Sequence, residues 1–245
     1  MNWLQTHGPA DGVWLSMASP LAAELAAQAG FAWALIDCEH GAGGEADALR
    51  LVHALTPTAT APIVRLPSST SDLATRLLDA GAAGLMAPHI DNAAEAAAFA
   101  ACLRYPPHGR RGVSAGCRAA GYGASWPAYR AEADARVCAV VQIETSAGVA
   151  AADAIAAVPG VDVLFIGHSD LAADLGCGDD LAAPALVEAE RAVLAACRAH
   201  GKRAGMLLKA GMPAAPRRAA GFDLLALGSD LGCLRSGLAR LRATP

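Results

Sequence analysis

Short runs of apolar residues alternate along the chain with longer Ala- and Leu-rich segments whose apolar positions recur at helical spacing. A strand buried on both faces reads as a continuous apolar run, so this alternation predicts βα units laid into a parallel sheet. Counting the runs gives eight strands, at 13–16, 33–37, 63–66, 84–87, 138–143, 161–166, 204–208 and 223–227. Helices are predicted over 20–29, 45–55, 71–80, 93–103, 147–157, 184–200, 212–220 and 230–241. Several open on Ser, Asp, Asn or Pro, and Gly30, Gly81, Gly160, Gly201 and Gly221 follow helical segments, where a left-handed residue closes the last turn. Eight strand–helix pairs in 245 residues favour a closed (β/α)8 TIM barrel, one domain over 1–245, above an open doubly wound sheet. The first strand–helix turn, Ser16-Met17-Ala18-Ser19-Pro20, lacks the glycines of a dinucleotide fingerprint, so binding of NAD to an open sheet is disfavoured. The Pro- and Gly-rich segment from Tyr105 to Arg136 reads as a long excursion after the fourth helix, and such loops of a barrel are usually functional.

Composition narrows the partners. The chain is 54% apolar and 17% charged with a formal charge of -4, enough for a large core and the wrong sign for nucleic acid or an anionic membrane. The longest stretch free of Asp, Glu, Lys and Arg, Leu51 to Val64, is broken by His53, Pro57 and Pro62 and cannot span a bilayer. Met1-Asn2-Trp3 opens no basic segment followed by an apolar run, so the cytoplasm is the expected location. Seven scattered cysteines without a C-x-x-C pair read as reduced and mostly buried. Trp3, Trp14, Trp33 and Trp126 are candidate buried or interface anchors.

A barrel places its chemistry at the C-terminal ends of its strands, and the polar residues there converge. The second strand ends in Asp37-Cys38-Glu39-His40-Gly41, the third carries Arg65, the fifth ends at Gln142-Ile143-Glu144-Thr145, and the sixth runs into Gly167-His168-Ser169-Asp170-Leu171. Singly each has a structural reading: Asp37 as a helix cap, Glu144 as a bridge to Arg65, Asp170 as the cap of a turn from Leu171 to Leu175. Together, Glu144 and Asp170 on adjacent strand ends offer an all-oxygen site suited to Mg²⁺ or Mn²⁺. Cys38 has no electropositive neighbour in sequence that marks it as a nucleophile.

These runs, with Gly12-Val13-Trp14-Leu15-Ser16, Arg111-Gly112-Val113 and Ala226-Leu227-Gly228-Ser229-Asp230, resemble the HpcH/HpaI aldolases in order and spacing over nearly the whole chain. The resemblance implies a phosphoenolpyruvate/pyruvate-type barrel. It implies a metal-dependent aldolase that reversibly cleaves 4-hydroxy-2-oxoacids into pyruvate or hydroxypyruvate and an aldehyde. It further implies Glu144 and Asp170 as ligands of Mg²⁺, Mn²⁺ or Co²⁺, with Asp37 and Glu39 holding metal-bound water. His40 becomes the acid/base group, Arg65 the ligand of the keto and enolate oxygen, and Gln142 and Gly167 part of the substrate site. The amides of Ser169 and Asp170 receive the carboxylate, Asp79 is a catalytic carboxylate partnering the histidine (on sequence alone it is equally a helix-end residue), and the last helix is exchanged between subunits of a homohexamer. Pyruvate's methyl proton is too weakly acidic to leave near pH 7 unless a cation and a guanidinium stabilise the enolate, which suits this set. The base is His40 or a metal-bound hydroxide that it orients.

His168 departs from the resemblance, standing where the family has proline, and reads as a histidine at the surface or behind the ligands, or else as a change in substrate reach or metal preference. Two rivals are weighed. Lys209, directly after the seventh strand, is a candidate Schiff-base lysine, which would leave Glu144 and Asp170 without a role. A non-catalytic ketoacid-binding barrel is opposed by the intact set His40, Arg65, Glu144 and Asp170. Asp230 at the start of the last helix would repel a phosphate there.

Overall fold

The computed structural model describes residues 2–6, 8–70, 72–178, 180–209 and 211–243. Eight parallel strands close into a barrel in chain order: β1 (Ala10–Leu15), β2 (Trp33–Asp37), β3 (Ala61–Arg65), β4 (Gly84–Ala87), β5 (Cys138–Ile143), β6 (Val163–Ile166), β7 (Arg203–Leu207) and β8 (Leu224–Ser229). The predicted (β/α)8 barrel is the observed fold, with β8 pairing back onto β1. Around it lie α1 (Trp3–Thr6), α2 (Pro20–Gln28), α3 (Glu45–Leu55), α4 (Leu73–Ala80), α5 (Ala93–Cys102), α6 (Trp126–Arg136), α7 (Ser146–Ala150), α8 (Ala152–Ala156), α9 (His168–Asp174), α10 (Pro184–Ala199), α11 (Ala214–Ala220) and α12 (Asp230–Ala243).

The strands are buried on both faces because they separate two cores. Residues such as Val13, Leu15, Ile36, Val64, Leu85 and Val141 face the helices, and Trp14, Trp33, Leu35, Ile63, Met86, Val140 and Phe165 fill the barrel. Large and small residues interlock inside: Trp33 meets Phe165 edge-on at 6.3 Å, and a Cβ on Gly12 would stand 2.1 Å from the Trp33 ring. β1 begins at Ala10, three residues before its predicted start. Gly12, which resembles a turn residue, is the space that the Trp33 ring occupies.

The five predicted helix-ending glycines all have positive φ. The excursion after α5 contains more structure than expected. A 3₁₀ turn at Arg118–Gly123 packs on α4, and α6 follows with proline in its first turn. The helix predicted over 147–157 is two short helices that meet at Ala151. Asp170 lies within α9, whose first residue follows Gly167, and so does not cap a turn from Leu171. No helix among the described residues is long and apolar enough to cross a membrane.

Candidate active site

Strand register brings the first corner together. Asp37 and Arg65 are partners at the C-terminal ends of β2 and β3, which places their side chains side by side. Arg65 donates Nε–H to Asp37 Oδ1 at 3.0 Å and Nη2–H to Oδ2 at 2.7 Å, the two-pronged pairing that a planar guanidinium favours. Its Nη1 lies 2.7 Å from Glu39 Oε2, and its Cζ sits 4.9 Å from the centre of the Trp14 ring. Trp14 Nε1–H donates to Asp37 Oδ2 at 3.0 Å, and the backbone N–H groups of Glu39 and His40 donate to Oδ1. Burial works to raise the Asp37 pKa, but Arg65, Trp14 and the His40 amide outweigh it and hold the carboxyl below its ordinary value. Arg65 therefore pairs with Asp37 and Glu39, and among the described residues no ion pair joins it to Glu144.

The opposite corner is built from β4, β5 and β6. Glu144 follows β5 and is 1% exposed. Its Oε1 accepts the backbone N–H of His89 at 2.8 Å, and its Oε2 accepts from the Gln142 amide. Burial pushes the Glu144 carboxyl above its ordinary value; His89 opposes this, and Glu39 and Asp170 add to it. Gly167 lets β6 pass this close, since a Cβ there would stand 2.4 Å from Glu144 Oε2. Gln142 Oε1 is buried without a hydrogen-bond partner.

Between the corners lies a cavity of about 250 Å³ whose lining includes His40, Arg65, Gln142, Ser169, Asp170 and Lys209. His40 has a largely exposed ring, with Nε2 4.0 Å from Glu39 Oε1. The Lys209 ammonium, half-buried, donates to the Ser169 hydroxyl. His168 is buried, its Nε2 2.7 Å from Glu190 Oε1, and Glu190 also receives Arg217. It is thus a buried residue of the cavity lining, tied to Glu190, and is not a surface residue. The Cys38 thiol is pushed up to about 11 by burial and by Asp37 and Asp47, which leaves it a poor nucleophile.

Two placements differ from expectation. Asp79 is not brought to His40 within the chain: its carboxylate accepts Nη2–H of Arg111 at 2.7 Å. Arg111 folds in from the long excursion, is buried over the Tyr105 ring at 4.4 Å, and needs that counter-charge. The second is His89, which sequence reading passed over. It lies two residues beyond β4, and a left-handed backbone at φ 51° turns it back toward the site. One donor atom from each of Glu39, His89 and Glu144 lies within 4.8 Å of the others, an arrangement able to hold a metal ion; Asp170 is outside that group and lines the cavity, with its charge felt at Glu144. The surroundings fit a cation. Three carboxylates converge here, of which Arg65 pairs with Glu39 alone, and the buried Glu144 has only neutral donors and a half-exposed imidazole against it.

Comparison with known proteins decides the family. The family model for HpcH/HpaI aldolase/citrate lyase matches residues 11–236. The chain belongs to that family. A 5-keto-4-deoxy-D-glucarate aldolase of Salmonella arizonae is 37% identical over 95% of this chain and 91% of its own. A hydroxypyruvate/pyruvate aldolase of Chromohalobacter salexigens is 40% identical over 91% of this chain and 88% of its own. The crystal structure of an HpcH/HpaI aldolase from Desulfitobacterium hafniense superposes with a TM-score of 0.90 at 28% identity, covering 98% of this chain and 94% of that one. This member of the HpcH/HpaI family is accordingly an enzyme, a carbon–carbon lyase of the aldolase type.

Proposed function

We propose that the protein is a divalent-metal-dependent pyruvate aldolase of 4-hydroxy-2-oxoacids, with pyruvate or hydroxypyruvate as donor, acting in the cytoplasm as one barrel domain over 1–245. The observation that carries this reading is the meeting of two unlike corners at one rim: a guanidinium, fixed by Asp37, that lines a small cavity, and a buried carboxylate short of positive charge, held by the Gln142 amide of the same lining. Glu144 and Asp170, with Glu39 beside them, would hold Mg²⁺, Mn²⁺ or Co²⁺. When bound, the ion supplies positive charge to the keto oxygen of the donor.

The protein's own groups do the rest. Arg65 presents to the cavity the N–H bonds that Asp37 and Glu39 leave unused, donating to the keto oxygen and more strongly to the enolate oxygen. Gln142 lines the substrate site, and the first amides of α9, at Ser169 and Asp170, bind the donor carboxylate; such amides have no partner inside their own helix. His40, at the open side, takes the proton from the donor carbon. That carbon then forms the new bond to the aldehyde carbon, and the alkoxide recovers the proton from His40. Cleavage retraces the path.

Deuterium exchange into the methyl group of pyruvate, followed by proton NMR in D₂O, tests the donor half without knowledge of the aldehyde. Exchange should require added Mg²⁺ or Mn²⁺. Exchange that persists in metal-stripped protein turns the reading to an imine at Lys209, and no exchange under either condition removes pyruvate as donor and leaves hydroxypyruvate.

The same reading makes the chain a homo-oligomer, hexameric as the resembling family implies, with α12 exchanged between neighbours. In support, α12 buries none of its side chains. Leu231, Leu234, Leu238 and Leu241 are exposed along it, and an apolar groove of about 820 Å³ separates it from Leu21 and Leu25 of α2. Light scattering checks the mass.

A further inference from the structure

We propose that Lys209 receives a negatively charged group on the acceptor, so that the aldehyde this enzyme prefers carries a carboxylate and the compound it cleaves is a diacid. The inference rests on the aldolase reading above and adds to it the chemical class of the second substrate.

Charge carries it first. The chain has two lysines, and their surroundings differ. Just before β7, the Lys202 ammonium donates to the carbonyls of Val158 and Val161, at 3.4 and 2.7 Å. Lys209, two residues past the other end of that strand, lines the cavity and donates to one neutral group, the Ser169 hydroxyl. Among the described residues no carboxylate stands at ion-pair distance from it, that of Asp170 in the same lining included. An ammonium has three N–H bonds, so two are left for what enters. Arg65, the guanidinium of this lining, is already answered by Asp37 and Glu39. A half-buried cation with no counter-charge has lost part of its hydration, and an incoming anion restores what was lost.

Position is the second observation. In the reading above the donor lies between Arg65 of β3 and the first amides of α9, which already serve its carboxylate. The rest of the lining includes Trp14 of β1, Phe165 of β6 and Leu207 of β7. That wall is apolar, because the indole N–H of Trp14 is given to Asp37. A carbon chain packs against such a wall, whereas a charged group at its end needs a donor, and Lys209 is the donor beside Leu207. The bond to Ser169 ties the ammonium from the end of β7 to the start of α9, which restrains a stem that is otherwise flexible. The acids of this rim, Asp37, Glu39, Glu144 and Asp170, would repel an anionic aldehyde, and Lys209 supplies the opposing charge.

Matched aldehydes read the preference: succinic semialdehyde against its neutral methyl ester, and glyoxylate against glycolaldehyde. Each is added by the Mg²⁺- or Mn²⁺-loaded enzyme to whichever of pyruvate and hydroxypyruvate undergoes deuterium exchange, and kcat and KM are measured for the aldehyde. The wild type should favour the charged member of at least one pair by about tenfold or more in kcat/KM, chiefly through KM. Lys209→Met should erase most of that preference, and Lys209→Arg, which keeps the charge, should retain most of it. Ser169→Ala keeps the amide and removes the hydroxyl, and should lower the preference about two- to threefold. A wild type with no preference for the charged aldehydes overturns the inference and leaves the aldolase standing. A preference that survives Lys209→Met places the anion on other groups and does the same. Loss of charged and neutral aldehydes alike in Lys209→Met, with a raised KM for the donor, gives the ammonium to the donor carboxylate and also overturns it. Absence of exchange into either donor with every metal overturns both readings.

Discussion

The two corners of the cavity are opposites. Around Arg65 every charge is answered: Asp37 accepts from the guanidinium, from the Trp14 indole and from two backbone amides, and its carboxyl is held below its ordinary value. Around Glu144 the accounts stay open, with a carboxyl raised by burial, a Gln142 oxygen without a donor and two further acids nearby. A corner that is complete in the free protein holds its shape before substrate arrives, and one left short of positive charge is a site for what arrives. Stability and activity should therefore separate between them.

The largest effect is expected at Arg65. Arg65→Ala leaves Asp37 and Glu39 without their cation and should cost about 3–5 kcal/mol of stability as well as enolate formation, seen as a lowered urea midpoint and absent deuterium exchange. Unchanged turnover would remove Arg65 from the mechanism.

Asp37→Asn should weaken the same corner by about 2 kcal/mol near neutral pH, the scale of charge-assisted hydrogen bonds. Because the folded carboxyl lies below its unfolded value, the stability it supplies is present above the ordinary carboxylate range and is lost as pH falls through the folded value. The wild type and Asp37→Asn should then converge in acid; a gap independent of pH would deny that the charge of Asp37 is what matters.

At the other corner the sign reverses. Glu144→Gln should abolish metal binding and exchange, yet in metal-free protein it should raise stability by about 1 kcal/mol, or ~2–4 °C in melting temperature, since a buried carboxylate is replaced by a neutral amide. Destabilisation equal to that of Arg65→Ala would erase the contrast between the corners. The smallest effect is expected at Lys209: borohydride with pyruvate should leave no adduct on the protein, and a mass increase lost in Lys209→Met would move the chemistry to the amine.

The eight strands were legible because a twice-buried strand cannot hide its apolar run, as in Trp33–Asp37 and Cys138–Ile143. The rim residues were legible because barrel geometry says where to look. What escaped depended on chain path. α6 has a proline in its first turn and few apolar residues, so it resembles the Pro- and Gly-rich loop around it. His89 became part of the site through a single left-handed turn, a property of φ that no periodicity records; looking two residues past each strand end would have found it. Asp79 was read as a partner of His40 or as a helix-end residue and not beside Arg111, which is distant in sequence and folded onto it.

Asp230 opens α12, and its two carboxylate oxygens accept the amides of Ser16 and Met17 at 3.0 Å, more than two hundred positions away in the chain. A carboxylate thus occupies the place where related barrel geometries hold phosphate. In kinetic terms this clasp is among the contacts of greatest sequence separation. The entropy of joining such distant segments must be lost before the β1–β8 seam returns any energy. Folding should reach the rim last at this seam, and protection of the Ser16 and Met17 amides from hydrogen exchange would mark the moment at which the barrel becomes a closed ring.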